Sequence, residues 1–134
     1  MHPILDKLKK DGITKIKLGI FDVDGIMRGK YINMKKFTSA LENGFGFCDV
    51  VFGWDIVDEL YDMPTVTGWH TGYPDAPAVI DVNSYRKIPW ESDTALFIAD
   101  FQYSDGSPYP ACPRQLCKQI MQKADDMGFT VKSA

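Results

Sequence analysis

Residues 16–30 read Ile-Lys-Leu-Gly-Ile-Phe-Asp-Val-Asp-Gly-Ile-Met-Arg-Gly-Lys. In the first part of this stretch apolar side chains alternate with lysine or glycine, the period that is typical of a strand with one solvent-exposed face. The Asp-Gly pair that follows tolerates positive φ at both central positions of a turn and so predicts a type I′ hairpin. A second strand is predicted over residues 26–33, with Arg28 and Lys30 on its exposed face.

The same residues allow a second interpretation, because a strand that ends in Asp22-Val-Asp24-Gly resembles the first motif of haloacid-dehalogenase-type phosphatases. That resemblance implies Asp22 as the nucleophile and Asp24 as the general acid and base, with Mg²⁺ screening the charges. The strand of such an enzyme lies in a covered parallel sheet and should be apolar on both faces, whereas Lys15 and Lys17 put charge on one face here. Ile26 also occupies the position after Asp-Gly at which these phosphatases usually have a residue with a hydroxyl group. The residues by themselves favour the hairpin.

Length and composition are those of an ordinary globular protein. The 134 residues carry a formal net charge of −3, which weakly disfavours a nucleic acid or an anionic membrane as partner. Cys48, Cys112 and Cys117 form no Cys-x-x-Cys pair, so we expect reduced thiols, and the two histidines have no metal-ligand spacing to them. No apolar run of membrane-spanning length occurs, and we expect a cytoplasmic protein.

The remaining periodicities predict an α+β fold in which a β-grasp-like mixed sheet packs on a helix. A short N-terminal helix precedes the sheet domain, and a helix and strand at the end read as the start of a second domain. The predicted helices cover residues 3–11, 34–43 and 113–127, with one helical turn within 55–62. Further strands are predicted at residues 48–54, 78–82, 95–101 and 129–132, with a short extended piece at 86–90. The predicted units are residues 1–12, 13–103 and 104–134.

Past the hairpin the chain resembles the glutamine synthetase family and its related γ-glutamyl ligases. Met27-Arg-Gly-Lys-Tyr-Ile32 resembles the second strand of the β-grasp domain that opens these enzymes. Tyr73-Pro-Asp-Ala-Pro-Ala-Val-Ile-Asp81, followed by Ile88-Pro-Trp90, is similar to the family's Pro-Asp segment and its next strands. Cys112-Pro-Arg-Gln-Leu-Cys-Lys118 resembles the helix that begins the catalytic domain. The likeness covers residues 15–134, and the order and spacing of the motifs make it fairly specific.

The resemblance implies a longer enzyme that joins the γ-carboxylate of glutamate to ammonia or an amine. ATP would convert that carboxylate into an acyl phosphate, and Mg²⁺ or Mn²⁺ would offset the phosphate charge. In the family the metal ligands begin after the region matched here, so we expect no metal ligand and no nucleotide site in this chain, and no activity from it alone. A stand-alone β-grasp binding module is the other interpretation that remains open.

The resemblance also implies a homo-oligomeric ring in which this domain packs on the next subunit and helps to close that subunit's active site. Bacterial members supply an aspartate near the ammonium site from an Asp-Gly-Ser-Ser stretch. The corresponding region here reads Phe47-Cys-Asp-Val-Val-Phe-Gly-Trp-Asp55 and lacks that stretch. Asp49 and Asp55 are therefore the two candidates for the ammonium or amine site. Arg114, in the first turn of its helix, is expected to pair with an acidic side chain.

Overall fold

The computed structural model describes residues 2–132, which form a five-stranded sheet and three α-helices. The helices are α1 (Pro3–Lys10), α2 (Met34–Asn43) and α3 (Pro113–Asp126). The strands are β1 (Lys15–Phe21), β2 (Met27–Asn33), β3 (Phe45–Cys48), β4 (Asp75–Lys87) and β5 (Thr94–Phe101), and a 3₁₀ helix (Asp49–Phe52) follows β3. None of the helices within residues 2–132 has the length and apolar character needed to cross a membrane.

The sheet is mixed, with the strand order β2-β1-β5-β4-β3. β1 pairs with β2 as an antiparallel hairpin and with β5 in parallel, while β4 is antiparallel to both of its neighbours. α2 connects β2 at one edge of the sheet to β3 at the other edge. The parallel pair, β1 and β5, therefore lies inside the sheet. This arrangement confirms the predicted α+β, β-grasp-like sheet packed on a helix.

The core lies on the concave face of the sheet in two apolar clusters. In the first cluster α1 and α2 pack on the middle strands, and the completely buried rings of Phe37 and Phe97 lie 4.9 Å apart between their centroids. Burying a side chain of this size contributes about 1.5–3 kcal/mol. The second cluster lies beside β3, where the Phe52 ring stacks on Tyr109 and both rings contact Phe101.

The antiparallel hairpin is confirmed, but the predicted type I′ turn is wrong. The amide of Gly25 donates to the carbonyl of Asp22 at 3.2 Å, and Gly25 has a φ of 77° while Asp24 lies outside the left-handed region. This is a three-residue loop, a tight turn followed by one left-handed glycine. A side chain explains the difference, because Asp22 Oδ1 accepts the amides of Asp24 and Ile26 at 2.9 and 2.8 Å.

The prediction that Arg28 and Lys30 face solvent is also wrong. Because side chains alternate along a strand, both residues share a face with the buried Ile32, which is the concave face. The Lys30 ammonium lies 5.6 and 5.0 Å from the ring centroids of Phe45 and Phe47 on the opposite edge strand. The sheet curls enough to bring its two edges together, and a cation on the concave face spans them.

Two predicted elements near the middle of the chain are wrong. The strand expected at residues 48–54 is instead β3, which ends at Cys48, followed by the 3₁₀ helix that turns Asp49, Val51 and Phe52 into the interior. Residues 55–62 form a turn rather than a helical segment. The strand expected at 78–82 and the first two residues of the extended piece expected at 86–90 belong to one longer strand, β4, with an irregularity between its two registers.

At the end of the described chain, residues 129–132 pair with no strand within residues 2–132, so the strand predicted there is wrong. Gly128 has a φ of 85°, and the Phe129 amide donates to the carbonyl of Ala124 at 2.9 Å, which ends α3 in a helix cap. An apolar run becomes a strand only where a neighbouring strand accepts its backbone hydrogen bonds. Residues 133 and 134, which the predicted second-domain segment includes, lie outside the described residues.

Candidate functional site

Asp49, the first of the two residues predicted for the ammonium or amine site, is a carboxylate at the start of the 3₁₀ helix and is only 3% exposed. Its Oδ1 accepts a hydrogen bond from the hydroxyl of Thr67 at 2.6 Å, and its Oδ2 accepts one from the hydroxyl of Tyr109 at 3.0 Å. Both oxygens are therefore taken by neutral donors. The carboxylate joins the long segment before β4 to the segment after β5.

Tyr109 takes part in this arrangement as a neutral phenol. Burial of the ring, together with the hydrogen bond to Asp49 and its negative charge, raises the pKa of Tyr109 above the ordinary value. The hydroxyl consequently keeps its proton near neutral pH and stays a donor to Asp49. Tyr109 and Cys112 are both buried in the second apolar cluster, so the segment after β5 belongs to the packing of the sheet.

Asp55, the second residue predicted for the ammonium or amine site, organises a surface turn. Its Oδ1 accepts the amides of Val57 and Glu59 at 2.9 and 3.0 Å, and its own amide donates to the carbonyl of Glu59 at 2.9 Å. Its other carboxylate oxygen has no hydrogen-bond partner among residues 2–132. Ile56 and Val57 are 60% and 70% exposed, so the turn projects from the domain. Asp55 is thus half-buried, fixed through one oxygen and able to accept a ligand's hydrogen bond through the other.

The aspartate of the phosphatase interpretation has no access to a substrate. Asp22 is completely buried, and Arg28 Nε donates to its Oδ2 at 2.9 Å while Oδ1 holds the two turn amides. A nucleophile has to approach the group that it attacks, and this carboxylate is enclosed on both oxygens. Asp22 therefore stabilises the hairpin turn.

The surface around the Asp55 turn is acidic and apolar. Between residues 37 and 85 there is no lysine or arginine. Of the eight carboxylates in that segment, Asp55, Asp58, Glu59 and Asp62 lie in or beside the turn, and Asp58 pairs with Arg28. Met63 and Trp69 are 91% and 78% exposed, and the Trp69 ring meets Tyr73 edge-on with its centroid 5.6 Å away. Such a surface favours cations that carry an apolar group.

Arg114 pairs with acidic side chains, as predicted. Its guanidinium bridges Asp81 and Asp100 at 2.6 Å each, and Lys118 contacts the same two carboxylates. Burial of Asp81 opposes its ionisation, but the hydrogen bonds and charges of Arg114 and Lys118 outweigh that effect and lower its pKa. Charged groups attach α3 to the sheet, while its own apolar side chains, among them Leu116 and Ile120 at 58% each, stay exposed.

The described residues do not fit a catalytic metal. Within residues 2–132 no group of three or more His, Cys, Asp and Glu side chains is arranged to hold an ion. Asp49 and Asp22 are saturated by donors, and Asp81 and Asp100 are neutralised by two cations.

Several of these contacts could not be found in the sequence pattern. Thr67 and Tyr109 lie 18 and 60 residues from Asp49, and Asp58 lies 30 residues from Arg28. The missing basic residues between 37 and 85 were a usable signal, since a run of carboxylates without counterions suggests either an acidic surface or a cation supplied from elsewhere. The structure shows that both occur.

The chain is similar to known enzymes over nearly its whole length, although no protein-family model matches it. It is 44% identical over 126 residues to type-1 glutamine synthetase 2 of Dictyostelium discoideum, a match that covers 94% of this chain and 24% of that protein. It is 34% identical over 132 residues to a glutamate–isopropylamine ligase of a Pseudomonas species, covering 98% of this chain and 29% of that protein.

The fold has solved counterparts. A structure of GmaS in complex with ADP matches with a TM-score of 0.72 at 22% identity, over 95% of this chain and 26% of that one. This likeness concerns the fold alone. The chain spans about a quarter of the length of the curated relatives that it matches. The chain matches these relatives along almost all of its own length and has the β-grasp-like sheet that its motifs predict. It therefore belongs to the glutamine synthetase family.

Proposed function

We propose that this chain is the N-terminal part of an ATP-dependent ligase that joins the γ-carboxylate of glutamate to ammonia or an amine. The observation that carries the proposal is the 44% identity to a type-1 glutamine synthetase along 94% of the chain. The name of the Pseudomonas relative, a glutamate–isopropylamine ligase, extends the range of acceptors from ammonia to organic amines. The full-length protein would act in the cytoplasm.

The proposed reaction has two steps. The γ-carboxylate of glutamate attacks the terminal phosphorus of ATP, which gives γ-glutamyl phosphate and ADP. The nitrogen of the amine then attacks the acyl carbon, inorganic phosphate leaves and a proton is lost from the nitrogen. The divalent metal, Mg²⁺ or Mn²⁺, would be held by the remainder of the longer protein together with ATP, since residues 2–132 contain no group of carboxylate, histidine or cysteine side chains arranged to hold an ion.

The contribution of this domain would be made at the amine. An amine is protonated near neutral pH, so a carboxylate can attract it, and it must lose a proton before or during the attack. Asp55 suits this role better than Asp49, since Asp55 has an oxygen without a partner and stands in an exposed turn. Asp49 has both oxygens occupied and is 3% exposed, which favours a structural role for it.

We propose further that the Asp55 turn and the following segment face a neighbouring subunit in a homo-oligomeric ring. Exposed apolar side chains at Ile56, Val57, Met63 and Trp69 support an interface there, because single-chain proteins seldom leave such a group uncovered. The apolar face of α3 supports a second contact, with the catalytic domain that would follow it. The proposed units remain residues 1–12, 13–103 and 104–134.

The proposal is tested with the full-length protein. Glutamate, ATP and Mg²⁺ or Mn²⁺ are supplied together with ammonium, methylamine, isopropylamine or ethanolamine, and both phosphate release and the γ-glutamyl product are measured. We expect amide formation with at least one acceptor, and phosphate release that depends on glutamate and on the amine. The absence of amide with every acceptor would contradict the proposal and would leave a β-grasp binding module. The 134-residue chain alone is expected to form no product.

A further inference from the structure

The Asp55 turn is closed on itself by its own backbone. The amide of Asp55 donates to the carbonyl of Glu59, and farther out the amide of Tyr61 donates to the carbonyl of Gly53, each at 2.9 Å. These bonds join the two arms of the turn to each other but attach neither arm to the sheet. Apolar packing holds the base of the turn, where Trp54 contacts the second apolar cluster, but not its tip, since the side chains of Ile56 and Val57 are mostly exposed.

Arg28 on β2 makes the attachment. One terminal nitrogen of its guanidinium donates to the carboxylate of Asp58, and the other donates to the carbonyl of Asp55 at 3.3 Å. The same guanidinium lies over the Trp54 ring, with Cζ 5.0 Å from the centroid. Three residues of the turn region are therefore held by one side chain that belongs to the sheet.

The position of Arg28 is itself fixed by the buried carboxylate of Asp22. Its Nε donates to Asp22 at 2.9 Å, and Asp22 is completely buried with its other oxygen bonded to two amides of the hairpin turn. A buried carboxylate without a cation would be strongly unfavourable, so Asp22 and Arg28 require each other. The planar guanidinium can satisfy Asp22 along one edge and the turn along the others, which an ammonium group cannot do.

The turn also needs such an attachment, because part of its backbone is in an uncommon conformation. Asp58 has a φ of 65°, in the left-handed region that side-chain-bearing residues seldom adopt. Arg28 holds the carboxylate of this same residue. A strained residue on a surface turn persists when the surroundings over-determine it.

We propose that Arg28 is a positioning residue that fixes the Asp55 turn to the sheet and so places the Asp55 carboxylate toward the amine. The part that concerns the turn stands on this chain alone, and the part that concerns the amine rests on the proposed function. The Asp-Val-Asp-Gly motif thereby has a second purpose, since its first aspartate anchors the arginine that reaches the turn.

The first test measures backbone order in the 134-residue chain by ¹⁵N relaxation for wild type, Arg28→Lys and Asp58→Asn. Asparagine at 58 keeps the tolerance for positive φ and the Asp22–Arg28 pair but removes one charge from the attachment. We expect the order parameters of Val57 and Glu59 to fall from about 0.85 toward 0.6 in Arg28→Lys, and less far in Asp58→Asn. Lys35→Met, which removes a distant exposed cation, should change neither.

Unchanged order parameters at the turn in both variants would overturn the proposal, and so would an equal loss of order across the sheet. If Arg28→Lys does not fold, Asp58→Asn still decides the question, because the buried Asp22–Arg28 pair remains intact in it.

The second test uses the full-length ligase. In Arg28→Lys we expect the KM of the amine to rise about tenfold, while kcat and the KM of glutamate change less than about twofold, since misplacing one contact group weakens binding of that substrate. A fall in kcat with an unchanged amine KM would overturn the part that concerns the amine. An inactive wild-type enzyme would contradict the proposed function but would leave the relaxation result standing.

Discussion

Around Phe37 and Phe97 the domain is held by completely buried rings, to which α1 and α2 add aliphatic side chains. Residues 53–74 have the opposite character, because most of their large apolar side chains face solvent while carboxylate and hydroxyl groups hold the backbone. The first region depends on buried area, which is additive and insensitive to pH. The second depends on individual partners, so each contact there can be removed separately. A surface that has to contact a substrate or a neighbouring subunit is more easily adjusted when it depends on individual polar contacts than when it depends on buried area.

The largest expected effect is in the apolar region. Phe97→Ala removes a ring that contacts Phe37 and Tyr85, and such core truncations lower the free energy of unfolding by about 3–5 kcal/mol. Urea denaturation measures it. Trp90→Ala is the matched control, because Trp90 is an aromatic residue that is 82% exposed and should change stability by less than about 0.5 kcal/mol. A loss below about 1 kcal/mol for Phe97→Ala would contradict the assignment of the core.

The polar region should respond next most strongly to Asp49→Ala. This change leaves the hydroxyls of Thr67 and Tyr109 without their acceptor inside the protein, at a cost of about 2–3 kcal/mol. Thermal denaturation is the measurement, with Asp62→Ala as a control that removes the same charge from an exposed position. Equal stability of the two variants would show that Asp49 does not join the two segments.

A smaller effect is expected for the attachment of α3, and it depends on pH. Because the folded-state pKa of Asp81 lies below the ordinary value of 3.8, its ion pairs contribute fully above pH 3.8 and are lost as the pH falls below it. An NMR titration should show the amide signals of α3 shifting in that acidic range before those of β1. Asp81→Asn should reduce this acid-dependent difference. If α3 and β1 respond together in the wild type, charge pairs are not what holds the helix.

The smallest effect concerns the contact of α1 with the sheet. Tyr85 donates to Asp11 at 2.6 Å, and burial together with this carboxylate raises the pKa of Tyr85 to about 12. The hydrogen bond therefore contributes fully below the ordinary pKa of 10 and is lost as the pH rises toward 12. Tyr85→Phe should cost about 1 kcal/mol at neutral pH and remove this alkaline dependence. Denaturant unfolding in alkaline buffers measures both, and an unaltered pH dependence in the variant would contradict the assignment.

β1 and α2 could be predicted because their signals are local. β1 follows from the alternation of Ile16, Leu18 and Ile20, and all three are buried. The helix predicted at residues 34–43 coincides with α2, whose start Asn33 caps by accepting the amide of Lys36 at 2.9 Å. In these elements the pattern of a short window and the final packing agree.

The attachment of the Asp55 turn to the sheet could not be predicted, because Arg28 lies 27 and 30 residues from its two hydrogen-bond partners in the turn. Nothing near Arg28 indicates that it reaches a turn 30 residues away, and a period of two gives its face but not which face is concave. The turn after β1 differs from the predicted type for a related reason, since the carboxylate of Asp22 rather than the backbone preference of Asp24 determines its geometry. Long-range polar contacts depend on the assembled fold.

The central claim, that this domain presents Asp55 to the amine of a glutamate ligase, is tested most directly by the KM of the amine in full-length Asp55→Asn. Asparagine keeps the oxygen that holds Val57 and Glu59 and removes the charge. A hydrogen bond to a charged group contributes about 1.5–3 kcal/mol, so the amine KM should rise about 10- to 100-fold with the glutamate KM unchanged. An amine KM equal to that of the wild type would contradict the claim.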